Sequence, residues 1–163
     1  MIKINETKKL QVQYAFSSDI GGEKDMIGKK SYMIDIRSNQ EPDGRLLVVE
    51  GNTDSIPFEI KRIFWVRDVV AGAKRGEHAT KRTKLVLIAV TGSCDVEVDD
   101  GNEKVTYHLD DPTKGLYIDE MLWRTMLNFT PDCVVEAICD HPYAPGDETY
   151  EDYDEYKKAL GNE

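Results

Sequence analysis

From residue 31 to residue 139 the apolar side chains fall into short runs, and turn residues stand between them. Residues 45–50 (RLLVVE) follow a Pro42-Asp43-Gly44 turn, and 58–66 (FEIKRIFWV) follow Pro57. Residues 84–91 (KLVLIAVT) are apolar almost throughout, the pattern of a strand covered on both faces. The next run alternates instead: Cys94, Val96 and Val98 share one side, Asp95 and Glu97 the other. Asp99-Asp100-Gly101-Asn102 is the strongest hairpin signal in the chain, and residues 105–109 return from it. Three more runs follow at 115–118, 123–127 and 133–139. Strands this short and this evenly spaced predict an all-β barrel or jelly roll. Strands do not alternate with helical segments, so a doubly wound nucleotide fold is not expected.

The two ends read differently. Residues 1–30 are polar and rich in Gly and Lys, and predict an extension with at most one strand. One domain is then expected over 31–163. Residues 147–160 (DETYEDYDEYKKAL) place Tyr153, Tyr156 and Leu160 at helical spacing, with acids at the start and Lys157-Lys158 at the end. That order suits the helix dipole and predicts a short helix whose tyrosines pack on the barrel.

Composition narrows the class. The 163 residues are 40% hydrophobic and 32% charged, ordinary for a globular domain. No apolar run approaches a bilayer span, and the first residues lack the apolar core of a secretory signal, so a cytoplasmic protein without a membrane partner is expected. Cys94, Cys133 and Cys139 are an odd number in apolar runs without a C-x-x-C pair, which predicts buried thiols. A net charge of -10 argues against nucleic acid as a partner. Yet residues 61–84 carry eight basic side chains against Asp68 and Glu77, a local net of +6. Such a segment points either to a small-anion site or to a solvated barrel rim.

Candidate chemistry is sparse. His108 lies between polar neighbours on a hairpin strand, and His141 follows the last strand; both read as surface or loop residues. His78 sits in Lys74-Arg75-Gly76-Glu77-His78-Ala79-Thr80-Lys81-Arg82, where a glycine, basic pairs and a titratable ring could serve an anion and a proton. The usual hydrolase and nucleotide-binding signatures are absent, and turn chemistry accounts for the paired carboxylates at 99–100 and 110–111.

Taken in order, several segments resemble the sugar-nucleotide 3,4-ketoisomerases, cupin-fold enzymes acting on dTDP-4-keto-6-deoxyhexoses. They are residues 56–64, Arg75-Gly76-Glu77-His78-Ala79, 92–94, 99–101, 115–118, Trp123-Arg124-Thr125-Met126, 147–149 and 153–156. The resemblance implies a metal-free and cofactor-free cupin-type jelly roll with a short C-terminal helix. It implies a homodimer with exchanged strands, and a role in deoxysugar or surface-glycan biosynthesis. It implies proton shuttling through an enediol, with His78 catalytic, Arg75 on the diphosphate and Arg124 beside the hexose. Thr80, Trp123 and Lys81 complete the substrate-binding set it suggests.

Five positions depart from the family pattern. Thr80 replaces the second histidine, Phe64 and Trp65 stand where tyrosines are usual, Leu85 replaces a glutamine, and Asp43 precedes Gly44 in place of arginine. At the metal positions of cupins the chain reads His78, Thr80, Lys84 or Leu85, and Arg124, which offers one ligand and predicts no metal. Two readings follow: an isomerase with a reassigned base, or a silent sugar-nucleotide-binding cupin that partners an active paralogue.

Overall fold

A computed structural model describes residues 24–26, 29–144 and 148–161, so most of the expected N-terminal extension lies outside the described residues. The chain forms β1 (Lys24–Met26), β2 (Lys29–Asp35), β3 (Arg37–Glu41), β4 (Gly44–Val48), β5 (Arg62–Val66), β6 (Arg75–Thr80) and β7 (Leu85–Thr91). It continues with β8 (Cys94–Asp99), β9 (Lys104–Leu109), β10 (Lys114–Ile118), β11 (Trp123–Leu127), β12 (Val134–Cys139), β13 (Thr149–Tyr150) and the helix α1 (Tyr153–Ala159). One sheet has the order β1-β2-β10-β7-β12-β5 and the other β13-β6-β11-β8-β9, while β3 and β4 form a separate hairpin. This is the expected all-β jelly roll.

Strand parity explains the core. On β7, Leu85, Leu87 and Ala89 point between the sheets and join Val96, Val98, Leu116, Val135 and Ala137. Val86 and Ile88 point outward and are covered by Ile34, Ile56 and Phe58. A strand buried on both faces is what its unbroken apolar run required. Each such aliphatic side chain contributes about 1.5–3 kcal/mol on burial. Ile56 and Phe58 therefore act as a cover, and the strand expected from residue 58 begins only at Arg62. Cys94, Cys133 and Cys139 are buried free thiols.

The tail helix is shorter than its acidic run suggested. Asp152 caps it by accepting from the Glu155 amide, and the segment before it pairs with β6 as a strand, Thr149 opposite Thr80. The Tyr156 hydroxyl lies 2.9 Å from the Asp99 carbonyl and 3.0 Å from that of Met121, fixing the helix to the ends of β8 and β11. No helix among the described residues is long and apolar enough to cross a membrane.

Candidate functional site

Among the described residues, the outermost strands of the two sheets, β5 on one and β6 with β13 on the other, border a cleft into the barrel. Within residues 74–82, Arg75–Thr80 forms a strand broken by a bulge. Gly76 and Glu77 both adopt positive φ, 83° and 55°, and the register against β11 shifts there. A Cβ on Gly76 would lie 2.9 Å from the Arg124 carbonyl oxygen, so only glycine fits. The bulge turns the Gly76 carbonyl toward His78 Nδ1, 3.0 Å away, and sets His78 opposite Arg124 in the strand pairing.

That pair is the centre of the cleft. Arg124 Nη2 lies 2.8 Å from His78 Nε2. A guanidinium only donates and so does a ring N–H at Gly76, so the proton sits on Nδ1 and the Nε2 lone pair faces Arg124. Burial, and then the Arg124 charge, pull the His78 pKa down to about 4; the ring is neutral near pH 7. Burial also pulls the Arg124 pKa down, to about 10, and the side chain stays charged.

Both residues line two cavities. The wide one, about 830 Å³, is lined in addition by the buried Thr80 and Glu148 and the half-buried Arg62, and by the exposed Phe64, Tyr143, Glu151, Asp152 and Glu155. The narrow one, about 330 Å³, adds Lys74, Arg75 and Glu77 to a floor of Val66, Leu87 and Met126. The sequence-expected residues His78, Thr80, Arg124 and Arg75 are thus brought to one cleft, Arg75 in the narrow arm and Thr80 in the wide one. Trp123 faces the other way, its ring edge-on to Tyr153 at 5.1 Å, and the Lys81 ammonium lies 5.0 Å from the Tyr150 ring centroid. Neither is on the walls of these two cavities.

The wide arm holds a network that the sequence did not announce. Glu148 accepts from the Thr83 hydroxyl and from the Ala144 amide at 3.1 Å, and meets Arg62 at 3.4 Å. Burial alone would raise the Glu148 pKa, but these donors hold it below the usual carboxylate range. The Arg62 guanidinium lies 5.5 Å from the Phe64 ring centroid and 5.6 Å from that of Tyr143. Thr80 donates its hydroxyl to the Thr83 carbonyl at 2.7 Å. One signal was available: Arg62, Phe64 and Val66 share strand parity, which places an arginine on an inward face. Of the other histidines, His108 bonds Asp95 on the surface and His141 bonds Asp140. Among the described residues no group of three or more His, Cys, Asp or Glu side chains could hold a metal ion.

Residues 29–161 match the family FdtA, described as WxcM-like, C-terminal. The TDP-4-oxo-6-deoxy-alpha-D-glucose-3,4-oxoisomerase of Aneurinibacillus thermoaerophilus is 39% identical over 119 residues, 72% of this chain and 83% of that protein. The TDP-fucose-3,4-ketoisomerase WlaRA of Campylobacter jejuni superposes with a TM-score of 0.75 at 32% identity, covering 81% of this chain and 96% of that one. A variant of the 3,4-ketoisomerase QdtA from Thermoanaerobacterium thermosaccharolyticum, in complex with TDP-4-keto-6-deoxyglucose, gives 0.76 at 31% identity, covering 80% and 93%.

Proposed function

The chain belongs to the FdtA family (WxcM-like, C-terminal), and from that premise we propose that it moves the ketone of a TDP-4-keto-6-deoxyhexose from C4 to C3, in deoxysugar or surface-glycan biosynthesis. The reaction needs a group to take a proton beside a carbonyl and a cation to receive the developing charge. One observation carries the reading: a neutral imidazole set against a buried guanidinium, on the shared wall of both cavities.

In this reading His78 carries the proton, Arg124 and Thr80 face the hexose, and Arg75 with Lys74 takes the diphosphate in the narrow, basic arm. The acidic rim of the wide arm would repel a diphosphate and suits sugar hydroxyls. Trp123 and Lys81 enter only as supports, through Tyr150 and Tyr153 behind that rim. One imidazole beside an arginine is a poor metal-ligand set, so the chemistry is assigned to side chains alone. Three buried thiols fit a cytoplasmic setting.

The protein acts as a homodimer. Supporting this, among the described residues β5 is the last strand of its sheet, with Ile63 and Trp65 exposed on its outer side, Trp65 by 57%, and the β3–β4 hairpin stands apart with Leu46 exposed. An exposed apolar edge of this kind calls for a covering partner. Sedimentation of the purified chain should give twice the monomer mass; a monomer at micromolar concentration contradicts it.

Incubation with TDP-4-keto-6-deoxyglucose, followed by proton NMR, tests the activity. The expected result is conversion to the 3-keto sugar. Binding of the substrate without conversion would favour the silent-cupin reading, for which the absence of a proton acceptor at Thr80 speaks.

A further inference from the structure

Arg124 is a buried cation with unfinished contacts. The residue is 5% exposed, Nη2 is committed to His78, and Nη1 is shut off from solvent with no hydrogen-bond partner among the described residues. Leaving a charged N–H unmet in the interior is costly, and such groups persist where something other than folding uses them. The nearby acid does not meet it: Glu148 is taken up by Thr83, Ala144 and Arg62. The partner that holds Arg124, a neutral imidazole, supplies a lone pair and no charge. The guanidinium therefore lies on the cleft wall with no carboxylate in direct contact among the described residues, and Nη2, held by a neutral ring alone, is the nitrogen an anionic atom could draw away.

Resting on the isomerase reading above, we propose that Arg124 is the oxyanion-binding residue of the reaction, and that its move from His78 to the substrate oxygen is what frees His78 to act as the base. At rest, Nε2 is blocked by Arg124. When the 4-keto sugar enters, Nη2 leaves His78 and donates to O4. His78 Nε2 takes the C3 proton, the C3–H electron pair becomes the C3=C4 bond, and the C4=O4 pair moves onto O4 beside Arg124. The O3 proton then passes to O4, His78 returns its proton to C4, and the 3-ketone forms. Nothing external is consumed. The charged groups facing His78 are Arg124 from β11, Arg62 and Glu148 from the wide arm, and Lys74, Arg75 and Glu77 near its own strand. Of these Arg124 alone touches the ring. Burial of the ring and the Arg124 charge both weaken it as a base, so passing that charge to O4 strengthens it as the proton must move.

Kinetics of Arg124→Gln and Arg124→Lys on TDP-4-keto-6-deoxyglucose, with TDP affinity measured by calorimetry, test this. Arg124→Gln should lower kcat by about 10²–10³-fold while TDP affinity changes less than threefold, and Arg124→Lys should recover part of the loss. A change confined to KM, or a kcat within threefold of wild type, overturns the proposal. Absence of turnover in the wild-type protein overturns the isomerase reading instead. Should the glutamine variant not fold, nitrogen NMR of wild-type His78 at pH 6 decides. A neutral ring with its proton on Nδ1 supports the proposal, and a proton on Nε2 or a charged ring overturns it.

Discussion

The two arms of the cleft share His78 and Arg124 but hold charge in opposite ways. In the wide arm the charges of Arg62 and Glu148 are withdrawn from solvent and tied: the buried Glu148 to Arg62, Thr83 and Ala144, and the half-buried Arg62 also to the faces of Phe64 and Tyr143. In the narrow arm Lys74 and Arg75 stand exposed at the start of β6. A buried charge must find its partners as the chain folds, so the wide arm's network belongs to stability. An exposed cation is open to a ligand, so under the proposed function the narrow arm would serve affinity. A chain of net charge -10 would then bind its anion by keeping positive charge along one sheet edge.

Each arm can be broken separately. The largest effect is expected at their junction: His78→Ala should lower turnover by about 10³-fold, read by proton NMR, because it removes the proton carrier. Next, Glu148→Ala leaves Arg62 half-buried and unpaired. It should cost about 3 kcal/mol and lower the melting temperature by roughly 6–12 °C, seen by calorimetry. Arg75→Ala should leave melting within about 0.5 kcal/mol of wild type, as surface changes usually do. Its expected effect is on TDP binding, weakened about tenfold by isothermal titration, the scale of one charge-assisted contact. If Arg75→Ala melts early while Glu148→Ala loses only affinity, the division between the arms is wrong.

Much of the fold around these arms was legible in the sequence, and the reason is local. The doubly apolar run of β7, the Asp99–Asn102 hairpin and the alternation of β8 each declare themselves within a few residues. The sequence singles out His78 and Arg75 because glycine and basic residues cluster around them, and Arg124 because the resemblance reaches it; the structure brings all three to one cleft. The Glu148 network could not be found that way. Thr83 and Glu148 are 65 positions apart, and Arg62 and Glu148 are 86 apart. The β6 bulge was also hidden, since Glu77 gives no sign that it will adopt positive φ. The same local view placed the helix start at 147, where Glu148 and Thr149 instead serve the wide arm and β6.

The smallest effect is a pH dependence. In the folded chain His78 stays neutral, its pKa pulled to about 4 by burial and by Arg124, whereas the unfolded ring takes its proton near 6.5. Between these values the unfolded chain binds the extra proton. This ring's share of stability is therefore intact above about pH 6.5 and falls as the pH drops toward 4. Urea midpoints compared at pH 7 and pH 5 should show a decline that His78→Gln flattens. An unchanged decline in the variant would place the titration elsewhere.

The measurement that bears most directly on the two-arm account is a crystal structure with TDP-4-keto-6-deoxyglucose bound. The account predicts the diphosphate against Lys74 and Arg75, with the hexose C3 and C4 at His78 and Arg124. A diphosphate lying on Arg62 and Tyr143, with the narrow arm empty, would contradict it.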